Sequence, residues 1–84
     1  MASSKEVFER PFPFAVFVRE LPEAGAGRGV HDAATAIGTH ICTERLRGTD
    51  KWQRFGFKSE DQAEAFHTQA LAIAGKDRVT RDEP

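Results

Sequence analysis

The residues with the strongest chemical character lie in the middle of the chain. Trp52 is the sole tryptophan, with Arg54 two positions after it and Arg45 seven before it. An indole flanked by guanidinium groups can stack a nucleic-acid base while the arginines neutralise phosphate. The same trio can anchor a protein interface, where Trp and Arg are the enriched hot-spot residues. Without any partner, Arg45 and Trp52 would still make a stabilising cross-strand pair. His40 and Cys42 form a second group, a His-x-Cys pair suited to holding a metal or activating a thiol. A zinc site needs three or four ligands, and no third is apparent. A lone cysteine among phenylalanines is more simply a small buried hydrophobe. Gly25-Ala26-Gly27-Arg28-Gly29 is a third group, following an apolar run as phosphate-holding loops do. It lacks both the G-x-G-x-x-G spacing and the P-loop lysine, so it reads as a connection. Arg45, Trp52 and Arg54 are therefore the expected binding residues, with no catalytic residue, metal ligand or cofactor expected.

The elements that must position these groups can be read from pattern. PFPFAVFVREL is aromatic and β-branched, and Pro11 and Pro13 restrict pairing at its start, so a strand is expected over 14–21. Both of its faces are apolar, as in a strand covered on both sides. Residues 23–29 read as a flexible loop. Val30, Ala33, Ala34, Ile37 and Ile41 have helical spacing, and two readings follow. A long helix could run to Arg47, or a short helix over about 30–37 could end at Gly38 and give way to a strand. Arg47-Gly48-Thr49-Asp50 favours the second, because glycine at the first central position suits a type II′ hairpin turn. The hairpin then spans 40–47 and 50–57, with Arg45 opposite Trp52, Thr43 opposite Arg54 and Cys42 opposite Phe55. Phe55 and Phe57 should face helices, leaving Trp52 between Arg45 and Arg54 on the other side. Ser59 and Gln62 have capping-box spacing, and Glu60 and Asp61 suit a helix N-terminus. Ala63, Phe66, Ala70, Leu71 and Ala74 then form one apolar stripe that Gly75 ends.

VFVREL (Val16 to Leu21) resembles the first-strand signature of RNA-recognition motifs. FGF (Phe55 to Phe57), preceding a helix, resembles their third-strand signature. The resemblance implies single-stranded RNA binding on the sheet face, although Trp52 and Arg54 stand where that family usually has two stacking aromatics.

With 84 residues, one domain is expected. Residues 1–10 read as a flexible arm, 11–75 as the single domain and 76–84 as a polar tail, with a short edge strand around Val79 as the alternative. The fold class is α+β, a small ferredoxin-like β-α-β-β-α sandwich. Its antiparallel sheet carries the helices on one face, and its last strand is missing or weak. One cysteine excludes an internal disulfide. Nothing in MASSKEVFERP has the apolar stretch of a secretory signal, and no window has the length of a membrane span. A cytoplasmic protein without membrane contact is expected. Net charge is −1, which gives no strong overall field for nucleic acid. From His40 to Lys58, however, five cations stand against two acids, and from Ser59 onward six acids stand against three cations. The expected function is a small non-enzymatic interaction module holding a protein partner or itself through a sheet face or edge. Weak binding of RNA or single-stranded DNA through the basic hairpin is the first alternative. Small-ligand or metal binding near His40 and Cys42 is the second.

Overall fold

The computed structural model describes residues 9–20 and 26–84. Strand β1 (Phe14–Arg19) is followed by helix α1 (Ala26–Ile37), strands β2 (His40–Arg47) and β3 (Asp50–Phe57), helix α2 (Glu60–Ala74) and strand β4 (Val79–Thr80). Among the described residues this is an antiparallel four-stranded sheet in the order β2-β3-β1-β4 with two helices. The helix-bearing face holds the core. Val16, Val18, Phe55, Phe57 and Val79 of the sheet pack with Val30, Ala33 and Ala34 of α1 and Ala63, Phe66 and Ala70 of α2. Phe66 sits between Phe55 and Phe57, with ring centroids 4.9 and 5.2 Å away.

The hairpin has the register that its turn implies. Arg47 pairs with Asp50, Arg45 with Trp52, Thr43 with Arg54 and Cys42 with Phe55. Gly48 has φ of 62°, the conformation that a first central glycine supplies without steric cost. The α2 signals also act as expected. Ser59 Oγ accepts the Gln62 N–H at 3.2 Å, and the Gly75 N–H donates to the Leu71 carbonyl at 3.0 Å. The reciprocal half of the capping box does not form, since Gln62 Oε1 is buried without a partner among the described residues.

Three expectations change. Helix α1 begins at Ala26, so Ala26–Gly29 are helical and not loop, while 23–25 lie outside the described residues. Tertiary packing outweighs the low helix propensity of its glycines, and Gly29 passes close to Ile73 of α2. Strand β1 ends at Arg19, with Glu20 beyond it and Leu21 outside the described residues. The 76–84 segment is polar in composition, yet its Val79 is buried in the core and pairs with Val18. A single apolar residue carries too little periodicity to decide between tail and edge strand, and the sheet edge beside Val79 decides for the strand. Past this short strand, Arg81 covers the remaining edge of β1. Its Nε donates to the Ala15 carbonyl at 2.8 Å, while its Nη atoms reach Glu60 at 2.7 and 2.9 Å.

Candidate functional site

Alternation along the strands places Ala15, Phe17 and Arg19, Ile41, Thr43 and Arg45, and Trp52, Arg54 and Gly56 on the sheet face away from the helices. Arg45, Trp52 and Arg54 therefore share a face, as the hairpin register requires. That face is occupied by the chain itself. The Glu9 carboxylate accepts hydrogen bonds from the Thr43 hydroxyl and from Arg45 Nη2, and Arg54 Nε lies 4.0 Å from it. The side chains of Glu9, Arg54 and Arg45 are 9%, 10% and 16% exposed, so this is an enclosed charge cluster. Arg54 Nη2 also donates to the Phe12 carbonyl at 3.0 Å, and Lys58 Nζ stands 5.6 Å from the centre of the Phe12 ring. From the other end of the chain, Glu83 contacts Arg45 and Arg47, each at 3.4 Å.

The electrostatics follow from this enclosure. Burial is the largest single influence on Glu9 and opposes its ionisation. Hydrogen bonds from Arg45 and Thr43 and the charges of Arg45 and Arg54 together outweigh it, holding the carboxyl below its ordinary value. The hydrogen bond to Glu9 raises Arg45 against the opposing effect of burial. Burial dominates at Arg54 and lowers it. The Arg54 guanidinium is not saturated, since its Nη1 is buried without a partner among the described residues.

Glu9 is the residue of this face that sequence reasoning missed, since residues 9 and 10 close the segment expected to be a flexible arm. The available signal was indirect: the basic surplus of 40–58 calls for acids from elsewhere, without saying which. A second correction concerns Trp52. Arg45 stands opposite it in register, but the Arg45 guanidinium goes to Glu9 and Glu83. The cation over the indole is Arg19, with Cζ 5.9 Å from the ring centre, supplied by β1 through its pairing with Trp52. The hairpin register alone does not contain that neighbour.

Gly56 has a reason other than a signature. A Cβ there would lie 2.8 Å from the Phe12 carbonyl oxygen, 3.0 Å from Phe12 Cβ and 2.7 Å from Arg54 Nη1. The FGF triplet thus places two phenylalanines in the core and leaves room between them for the arm to cross the opposite face.

On the helix side, His40 Nδ1 lies 3.0 Å from the Gly38 carbonyl, in position to donate to it. The Cys42 thiol is pushed up to about 11, chiefly by burial and further by the negative charge of Glu44. That is the electrostatics of an unreactive thiol. Among the described residues no group of three or more His, Cys, Asp or Glu side chains is placed to hold a metal ion. Arg28, from the glycine-rich segment, makes an exposed 3.9 Å contact with Asp32 one helical turn on. No helix among the described residues is long and apolar enough to cross a membrane.

Comparison with protein-family models, with curated proteins and with solved structures finds no match to this chain.

Proposed function

We propose that this chain is a small non-enzymatic interaction module of ferredoxin-like architecture that binds a second copy of itself along β2. The β-α-β-β-α-β element order supports the ferredoxin-like reading. The observation that carries the binding mode is the eight-residue β2 at the sheet edge. The closing pair of a two-residue hairpin exchanges both backbone bonds, so Arg47, Arg45, Thr43 and Ile41 point their peptide groups at β3. The peptide groups of His40, Cys42, Glu44 and Leu46 then point away from β3, along a sheet edge of the kind that recruits another strand.

An antiparallel copy of β2 with Thr43 opposite Thr43 places Arg45 across from Ile41, Glu44 across from Cys42 and Leu46 across from His40. No like charges face each other directly, and Leu46, 64% exposed in the single chain, gains a neighbour. The edge is guarded in the monomer. Arg45 and Arg47 fold back to donate to the Glu44 and Leu46 carbonyls at 3.0 and 2.8 Å, and pairing would exchange these bonds for backbone ones.

Glu44→Pro is the direct test, since it removes an outward N–H and spares the ladder to β3. Sedimentation should give twice the chain mass for the wild type and the chain mass for the variant, with the variant's fold retained by circular dichroism. A wild-type chain that sediments as a monomer at every concentration rejects self-pairing. The nucleic-acid alternative through Arg45, Trp52 and Arg54 is less well supported, because Glu9 stands where a phosphate would bind.

A further inference from the structure

We propose that Thr43, Arg45 and Arg54 form a carboxylate-binding cradle for an acidic segment of another protein, which Glu9 fills when the arm is closed. This proposal concerns the sheet face and does not depend on pairing at the β2 edge. Three observations carry it. The cradle converges a hydroxyl and two guanidinium groups from adjacent strands on one carboxylate, in an enclosed setting where charge-assisted bonds are strong. The cradle has donor capacity left over, since Arg54 Nη1 is buried and unpartnered among the described residues. Finally, two separate segments of the chain present an acid here, Glu9 to Arg45 and Arg54, and Glu83 to Arg45 and Arg47.

The occupant's chemistry follows from these contacts. The cradle's donors are met by the Glu9 carboxylate in an enclosed setting, and the indole that would stack a base already lies under Arg19. An acidic peptide is therefore favoured over RNA. Among the described residues the arm's polar anchors are few: the Glu9 cluster, the Arg54 bond to the Phe12 carbonyl and the Lys58 contact with the Phe12 ring. Being tethered, Glu9 competes at an effective concentration of about millimolar, so the intact chain should bind a free acidic peptide only weakly.

The test uses the full chain and a fluorescent hexaglutamate peptide, with an oligouridine of equal length alongside it. Glu9→Gln should bind hexaglutamate about tenfold or more tightly than the wild type. Adding Arg45→Ala to Glu9→Gln should abolish the gain, whereas Arg28→Ala, an equal loss of charge at an exposed helical site, should not. In the wild type, hexaglutamate at about millimolar concentration should shift the Arg54 Nε–H resonance as the peptide replaces Glu9. That measurement does not depend on how well either variant folds. An unmoved Arg54 resonance, equal losses from the Arg28 and Arg45 substitutions, or tighter binding of oligouridine than of hexaglutamate would each overturn the proposal.

Discussion

One face of the sheet lies beneath two helices, with Phe55, Phe57, Val16 and Val18 sealed against Phe66. The other carries Arg45, Arg54, Trp52 and the buried Phe17, and receives the Glu9–Phe12 segment and the Glu83 carboxylate. Alternate residues of the same strands build both faces, yet the faces close by different physics. Apolar burial is non-directional and does not depend on the ionisation of any one side chain, so the helix face stays shut wherever the chain stays folded. The arm face depends on charge, donor geometry and the ionisation of one carboxyl, and losing that carboxylate takes a partner from two guanidinium groups at once. A core closed by apolar contact and a cover held by charge therefore share one small sheet.

Substitutions should separate the two faces by size of effect. Phe66→Ala removes the ring that joins both strand phenylalanines and should cost about 3–5 kcal/mol, much of the stability of so small a domain. A melting temperature that scarcely moves would remove the contrast from the helix side. Glu9→Ala should cost less, about 1.5–3 kcal/mol, because it leaves charged donors unpaired without opening the core. A double-mutant cycle with Arg45→Ala should recover a coupling energy of at least about 1 kcal/mol. Additive losses would mean that the ion pair contributes nothing beyond its separate parts.

Acid should distinguish the faces without mutation. The folded-state value of Glu9 is depressed below that of the unfolded chain, as is that of Glu60, where the hydrogen bond from Arg81 outweighs the opposing burial. Their stabilisation is complete above the ordinary carboxyl value of about 4.3 and is lost as pH falls through the lower folded values. Arm-face resonances, including Arg54 Nε–H, should therefore titrate in that acid range before the ring signals of Phe55 and Phe57 change. Simultaneous loss of both sets would show that the faces are not separable. The smallest effect belongs to Trp52→Ala. The half-buried indole and its contact with Arg19 should contribute about 1 kcal/mol, with the fold retained by circular dichroism. A loss as large as that from Phe66→Ala would place Trp52 in a second core.

Sequence by itself determined the parts whose causes are local. Arg47-Gly48-Thr49-Asp50 carries its turn geometry within four residues, and the strict alternation of a strand propagates that register to Ile41 and Gly56. Ser59 and Gly75 bracket α2 for the same reason, since cap bonds close within one helical turn. These short-range rules placed Arg45, Trp52 and Arg54 on one face. Tertiary structure alone decided what covers that face. The Glu9–Arg45 pair spans 36 positions and the Arg81–Ala15 bond spans 66, and no periodicity links such residues. Arg19 meets Trp52 only through the β1–β3 pairing, and Gly56 is needed only because Phe12 crosses it. Local rules determine which way a side chain faces, whereas its partner depends on which distant segments the closed sheet brings within hydrogen-bonding range.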